Sequence, residues 1–403
     1  MDLYRADWII PALAPPVRDG ILAVTDDRIS WLGPAVDAPD GTLHDLGHVA
    51  ILPGFINAHT HLELTNFLGR IPRQPLWTWF DELLRLIRTT DFATSGPDAV
   101  RAGAKLSLDA GVTCVADISR TGLNVAVLSA SPIRKVCFFE LISGALMPPN
   151  DAESLSDAIN RASAFTKGHE LIIGISPHAP YTVTRDDLTA AARLATARNL
   201  PLTMHFLESQ EESDWLNGRG DLMKNLTVRR LPTALAPPPT DAMDFLESSG
   251  VFAANPLLAH VNYVSDAVIT RLANEKASVV FCPRAHIFFG HPPHRWQDML
   301  LAGINVCLGT DSLASNESLS ILDEIRFLMQ RDEKVESQTL LRMATVNAAR
   351  ALKLHDHLGD LSTGLLADLV MIPCETAATD PLRAIMSDTA PVTGVWISGR
   401  RLR

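Results

Sequence analysis

Ile51-Leu-Pro-Gly-Phe-Ile-Asn-Ala-His59-Thr-His61 is an apolar run that ends in two histidines one residue apart. A run of this length reads as a buried strand that delivers both imidazoles to an open face. Alternate positions of a strand point the same way, so the two rings are close enough to share one ion. A single histidine on an apolar segment is ordinarily a satisfied core residue, and a His-x-His pair alone says little. The pair gains meaning because later strands end in the same manner.

Seven further short apolar runs follow, over 113–117, 136–141, 171–176, 202–206, 257–261, 278–282 and 305–309. Stretches of helical period separate most of them, as at 98–109, 186–198 and 266–274. Eight buried strands alternating with helices predict a parallel sheet, and eight is the number that closes a (β/α)8 TIM barrel of the α/β class. Such a barrel needs roughly 250 residues, and the expected span here is 53–363 of the 403. The ends of the chain hold only short β-like pieces, 8–10, 20–24 and 28–31 in front, 367–372 and 392–397 behind. Neither end is long enough to bury a sheet face alone. Together, 1–52 and 364–403 predict one small composite β-sandwich domain. The longest connection follows the fifth strand. It carries acidic Glu208-Ser-Gln-Glu-Glu-Ser213 and the cluster Pro237-Pro-Pro239, and it reads as a covering loop.

Composition narrows the partners. The 35 basic and 46 acidic residues give a net charge of −11, with no basic run. That argues against nucleic acid and against anionic membranes. No apolar stretch approaches the ~18 residues of a membrane span, and the polar N-terminus does not read as a signal peptide. Cys114, Cys137, Cys282, Cys307 and Cys374 are scattered, without Cys-x-x-Cys spacing. Four of them lie in apolar strand-like runs, which predicts buried thiols in a cytoplasmic protein. Apolar helix faces such as 319–328 suit either core packing or a homodimer surface.

The strand ends hold the chemistry. Strand one ends in His59 and His61, strand two in Asp117, strand three near Glu140, strand four in His178. Strand five ends in His205, strand six in His260 and strand eight in Asp311. Barrel active sites are assembled on that C-terminal face. Three or four neutral imidazoles with one carboxylate suit a borderline divalent ion, Zn²⁺ or, as its competitor, Fe²⁺. Such an ion lowers the pKa of a bound water to about 7, and a nearby carboxylate must then carry protons. Glu208, three residues past His205, stands in position for that role. Its neighbours Glu211 and Glu212 also allow a solvated acidic loop.

In this order the segments resemble the amidohydrolase superfamily, in particular its cytosine, guanine and adenosine-type deaminases and the related chlorohydrolases. The likeness runs through Leu52-Pro-Gly-Phe-Ile-Asn-Ala-His-Thr-His61, Gly111-Val-Thr-Cys-Val-Ala-Asp117, Ser176-Pro-His-Ala-Pro-Tyr181 and Met204-His-Phe-Leu-Glu208. It continues through Leu258-Ala-His260, Phe281-Cys-Pro-Arg-Ala-His286, Leu308-Gly-Thr-Asp-Ser-Leu-Ala-Ser-Asn316 and Gly364-Leu-Leu-Ala-Asp-Leu-Val370. The resemblance implies that His59, His61, His205 and Asp311 hold one metal ion and that Glu208 shuttles protons. It also implies that His260 faces the attacking water, with Asp311 sharing its deprotonation, and that His178 contacts substrate. Strand four has no Lys to become the carbamylated bridge of two-metal members, so one ion is expected.

His61-Leu-Glu-Leu-Thr-Asn66, Trp77-Thr-Trp79 and Cys282-Pro-Arg-Ala-His-Ile-Phe-Phe-Gly-His291 resemble, more finely, the aminodeoxyfutalosine deaminase-like branch. Ala285 departs from that branch, which tends to have Ser there. Arg284 and His286 are the expected substrate contacts beyond the reacting ring. Arg284 suits either a substrate carboxylate or a loop carboxylate of its own chain. The expected activity is metal-dependent hydrolytic deamination of a small N-heterocycle, an aminopurine nucleoside such as 6-amino-6-deoxyfutalosine, by metal-bound hydroxide. The same site would serve a chlorohydrolase or a cyclic-amide hydrolase. A non-catalytic binding protein on a decayed barrel is the alternative of another class, against which all four ligand positions are filled.

Overall fold

A computed structural model of the chain describes residues 1–145, 148–220, 222, 241–375 and 377–403. The expected cluster Pro237–Pro239 lies outside the described residues.

The opening run is where the fold first departs from expectation. In place of one strand over 51–57, the chain breaks at Gly54 into two strands that join different sheets. A side chain at Gly54 would bring its Cβ to 2.2 Å from the Thr113 hydroxyl oxygen, so only glycine passes there. Its N–H donates to the Asp368 carbonyl at 2.9 Å, which anchors the crossing.

Before the crossing lie β1 (Asp2–Ile9), β2 (Val17–Thr25), β3 (Arg28–Pro34), β4 (Thr42–Asp45) and β5 (Val49–Pro53). Then come β6 (Phe55–Thr60), β7 (Val112–Ser119), β8 (Arg134–Leu141) and β9 (Leu171–Pro177). The second half holds β10 (Thr203–Phe206), β11 (Leu257–His260), β12 (Ser278–Phe281) and β13 (Asn305–Leu308). The chain closes with β14 (Leu369–Pro373), β15 (Gly394–Ile397) and β16 (Arg400–Arg401).

Strands β6 to β9 and β10 to β13 form two four-stranded parallel sheets in chain order. Isolated parallel bridges, Ile175 with Leu202 and Thr60 with Asp311, link the edges of one to the edges of the other. Alternation divides β8 cleanly. Val136 and Phe138 pack with Ile56, Cys114, Ala259 and Cys307 from other strands, whereas Cys137, Phe139 and Leu141 pack with helix residues such as Leu155 and Leu188. The helices Arg185–Ala197 and Asp266–Asn274 lie within a residue of expectation. The helix ending at Asp109 begins at Phe92, before Pro97, where the sequence suggests a start after the proline.

The two ends of the chain share one eight-stranded sheet, ordered β16-β15-β14-β5-β1-β2-β3 with β4 on β1. The weld is the antiparallel pairing of β5 with β14, from Val49 opposite Pro373 to Pro53 opposite Leu369. All five cysteines are free and buried. Among the described residues no helix is long and apolar enough to cross a membrane.

Candidate active site

The strand ends gather His59, His61, His205, His260 and Asp311 into one cluster. His59 Nε2 and His61 Nε2 each lie 3.7 Å from Asp311 Oδ1. The His59 ring centroid is 5.0 Å from those of His61 and His205 and 5.2 Å from that of His260. Candidate ligand atoms of His59, His61 and Asp311 fall within 4.8 Å of one another, as do those of His59, His205 and His260.

The hub of this cluster is unsatisfied. His59 is 1% exposed, and among the described residues neither of its ring nitrogens has a hydrogen-bond partner. An unpaired buried polar group costs about 1–3 kcal/mol, so a ligand that uses the lone pair is implied. The other members each keep one atom free for the same purpose. His205 Nδ1–H donates to the His178 carbonyl at 3.0 Å, which fixes the tautomer and leaves Nε2 bare. Asp311 Oδ2 accepts from the Ser315 hydroxyl at 2.7 Å, leaving Oδ1 toward the histidines. Burial, and then the neighbouring imidazoles, hold His59 and His61 well below the usual histidine range, and His205 at about 3. Neutral rings are what a divalent ion requires. Burial also pushes Asp311 up to about 6, against the Ser315 and Ser312 hydrogen bonds that stabilise its charge. Three imidazole nitrogens and one carboxylate oxygen fit a Zn²⁺-type site.

The backbone that builds the cluster is strained. A Cβ at Gly309 would stand 2.9 Å from the His59 Cβ, so glycine is what lets β13 approach β6 at this level. The His59 carbonyl accepts from the Thr310 and Asp311 N–H groups, and Asn57 Nδ2 donates to Thr310 Oγ1 at 2.7 Å. Leu207, His260, Val261 and Asp311 all adopt positive φ, between 51° and 73°. Such conformations disfavour residues other than glycine, and they cluster where a site over-determines them.

Glu208 stands opposite His260, with Oε1 3.5 Å from Nε2. Burial, then the charges of Asp311 and Glu212, raise its carboxyl well above the usual range. A carboxyl raised in this way is suited to hold a proton. The solvated-loop alternative for 208–213 is corrected here. Ser209 caps the helix Gln210–Leu216, and Glu212 is 0% exposed. The two Glu212 carboxylate oxygens accept the N–H groups of Leu207 and Glu208, each at 2.9 Å. Asn262 Nδ2 donates to the Glu208 carbonyl at 3.0 Å from the other side. Glu212 and Asn262 thus fasten the backbone of Glu208, and sequence reasoning missed both. The pattern Ser209-x-x-Glu212 is a capping-box signature that marks a helix start rather than a loop.

His178 joins the cluster, its ring 5.0 Å from that of His205. Asp117 does not. It is buried, accepts from the Leu62 N–H at 2.7 Å and from Asn124 Nδ2, and so holds the turn after β6. The two expected contacts after β12 are otherwise engaged, because the chain enters a helix at once, Pro283–Phe288. The Arg284 guanidinium bonds Glu317 Oε2 at 3.1 Å and lies 4.0 Å from Asp323, the loop-carboxylate alternative. His286 Nδ1 lies 3.1 Å from Asn262 Oδ1 and its Nε2 2.7 Å from the Pro292 carbonyl, and the single N–H of the neutral ring donates to one of these two acceptors. Its ring packs beside Asn262, whose Nδ2 donates to the Glu208 carbonyl.

The amidohydrolase family profile matches residues 50–402. The 5-methylthioadenosine/S-adenosylhomocysteine deaminase of Moorella thermoacetica is 27% identical over 393 residues, covering 92% of this chain and 85% of that protein. The aminodeoxyfutalosine deaminase of Deinococcus radiodurans is 28% identical over 368 residues, covering 87% and 85%. Among solved structures, a zinc-bound adenosine deaminase from Xanthomonas campestris superposes with a TM-score of 0.83 at 25% identity, over 99% of this chain and 92% of that one. The Helicobacter pylori aminofutalosine deaminase in complex with methylthio-coformycin gives 0.88 at 22% identity, with both chains fully covered. These neighbours imply a TIM barrel of α/β character for β6 to β13.

Proposed function

The chain belongs to the amidohydrolase family, and from that membership we propose that it is a metal-dependent hydrolytic deaminase of an aminopurine nucleoside. We read 53–363 as the catalytic barrel and 1–52 with 364–403 as a composite β-sandwich domain attached to it. The observation that carries the activity is the orphaned His59 ring at the centre of His61, His205 and Asp311, with Glu208 fastened beside it.

His59 Nε2, His61 Nε2, His205 Nε2 and Asp311 Oδ1 would hold one divalent ion, Zn²⁺ by the donor set. When bound, that ion supplies activation of a water near neutral pH. One ion is expected because His205 has a single free nitrogen, so Glu140 and His178, which also approach it, cannot share it with a second.

The remaining work falls to side chains. Glu208 holds a proton on its carboxyl and gives it to the ring nitrogen beside the carbon under attack. His260 Nε2 orients the water, and Asp311 takes a proton from it. That proton passes to the amino group, which leaves as ammonia, while the proton of the hydroxyl now on the ring carbon returns to Glu208 and leaves the carbonyl oxygen behind. The names of the relatives support a 6-aminopurine nucleoside as the substrate class, with 6-amino-6-deoxyfutalosine inside it.

The test is an ammonia-release assay on zinc-loaded protein over adenosine, 5′-methylthioadenosine, S-adenosylhomocysteine and 6-amino-6-deoxyfutalosine, with metal content measured on the same sample. Ammonia from at least one, with about one ion per chain, is expected. Chloride from a chlorinated triazine and no ammonia from any nucleoside would overturn the deaminase reading in favour of the chlorohydrolase one.

A further inference from the structure

The loop that carries Asp311 is held by one buried carboxylate from a later helix. Glu324 lies near the start of the helix Ile321–Arg331 and is 0% exposed, beside Ile321, Leu322 and Ile325, which pack into the core. Its two oxygens reach two different strand exits. Oε2 accepts the Arg284 N–H at 2.9 Å, in the first turn of the helix Pro283–Phe288 that follows β12. Oε1 accepts from Asn316 Nδ2 at 2.8 Å, in the segment after β13. The same Nδ2 donates to the Thr310 carbonyl at 2.8 Å, and Asn316 Oδ1 accepts the Glu317 N–H at 2.8 Å. The Thr310 carbonyl shares a peptide unit with the Asp311 N–H, which donates to the His59 carbonyl at 3.0 Å. A peptide unit is planar, so Asn316 at one end and His59 at the other fix its orientation. It leads directly into the strained Asp311, whose φ is 59°.

A contact that only joined helix to barrel would be apolar at this position, as its neighbours on the helix are. Burying a carboxylate is costly unless donors meet it. The Arg284 guanidinium, whose charge Glu324 feels, bonds Glu317 and lies near Asp323 instead. What the carboxylate adds is direction, which hydrogen bonds carry and apolar packing lacks. We propose that Glu324 is a positioning residue: through Asn316 it sets the peptide plane between Thr310 and Asp311, and so aims Asp311 Oδ1 at His59 and His61. Ser315 holds the other oxygen of Asp311 directly; Glu324 acts on the backbone. This rests on the reading of Asp311 as a metal ligand.

The test titrates metal-free protein with zinc against a chelator, and reads kcat, KM and melting temperature on zinc-saturated protein. Glu324→Gln keeps the shape and one acceptor, whereas Asn316→Asp keeps the shape and loses both donor bonds. Zinc affinity should fall by about 10–100-fold in Glu324→Gln, the span for partners that orient a metal ligand, and at least as far in Asn316→Asp. At saturating zinc, kcat should fall by about tenfold or more while KM for the nucleoside stays within about twofold. Ser320→Ala is the stability control. It removes the cap of the same helix, where the Ser320 hydroxyl accepts the Asp323 N–H at 3.1 Å, and leaves the Glu324 bonds in place. It should lower the melting temperature and keep zinc affinity and kcat within about twofold of wild type. Unchanged zinc affinity in Glu324→Gln and Asn316→Asp, or an equal loss in Ser320→Ala, overturns the positioning. Zinc affinity that falls as expected, with no ammonia released from any nucleoside, would overturn the deaminase reading and leave the positioning standing. A wild type that holds no zinc overturns both.

Discussion

Strand β8 carries a buried ionisable residue at each end, and the fold treats the two oppositely. At its start Arg134 is 2% exposed and its guanidinium is engaged on three sides. Nε and Nη2 bond Asp368 at 2.6 and 3.0 Å, Nη2 also bonds the Ser398 hydroxyl at 2.6 Å, and Nη1 donates to the His169 carbonyl. At its far end, among the described residues, Glu140 has only the charge of Arg120 nearby, and across the strand ends neither His59 ring nitrogen has a hydrogen-bond partner. Burial alone therefore does not mark function. Satisfied burial at the N-terminal ends fastens the strands to the sheet that contains β14. Unsatisfied burial at the C-terminal ends is what a ligand completes, in keeping with the division of labour between barrel faces.

The largest expected effect strikes the unsatisfied end. On the proposed mechanism, Asp311→Ala removes the single anionic ligand and the proton acceptor together. Turnover should fall below detection and the ion content should drop well under one per chain. The melting temperature of the metal-free protein should fall little, because Asp311 supports few contacts beyond Ser315. An Asp311→Ala enzyme that keeps both ion and activity would break the comparison at its functional end.

Glu208→Gln is the next step down. Shape and backbone fastening by Glu212 and Asn262 persist, and the proton is lost. The expected fall in kcat is roughly 10²–10⁴-fold, with ion content unchanged. Near wild-type kcat would return Glu208 to a structural role beside Glu212.

At the satisfied end the readout is stability. Arg134→Met leaves Asp368 buried and without its ion-pair partner, and breaking a buried pair from one side costs about 3–5 kcal/mol. Thermal and urea unfolding should show that loss, while kcat per folded molecule stays within about twofold. The reverse pattern, intact stability with lost turnover, would mean that the two ends are coupled rather than separate.

The strand count and the site cluster are legible in the sequence for one physical reason. A strand buried on both faces is a continuous apolar run, and the first polar residue after it marks the open face. Seven of the eight expected strands fall within two residues of the observed ones. The break at Gly54 is invisible locally, since the residues on both sides are apolar. It exists because Thr113 and Asp368 close on that point from distant parts of the chain. Glu212 is hidden differently. In an acidic run, composition suggests solvent, and only the Ser209-x-x-Glu212 spacing distinguishes the buried member from exposed Glu211. For Arg284 the deciding partners arrive with the segment after β13, which no local pattern brings next to Cys282-Pro-Arg.

Arg284 gives the smallest expected effect and the sharpest contrast with the sequence reading. A guanidinium awaiting a substrate carboxylate should be unpaired in the free protein, as the His59 ring nitrogens are among the described residues. Arg284 is instead held by Glu317 and Asp323, and its backbone N–H donates to buried Glu324 at 2.9 Å. Its side chain is partly exposed and Glu317 is largely so, which places the pair among solvent-screened ion pairs contributing about 0–1 kcal/mol. Arg284→Met should therefore lower stability by no more than about 1 kcal/mol. It should change KM by less than about threefold, equally for 6-amino-6-deoxyfutalosine and for adenosine. A 10–100-fold rise in KM confined to the carboxylated nucleoside would mean that substrate displaces Glu317 and Asp323 from the guanidinium. In that case a satisfied ion pair would also be a binding device, and the rule that separates the two ends of β8 would hold only for groups shielded from water.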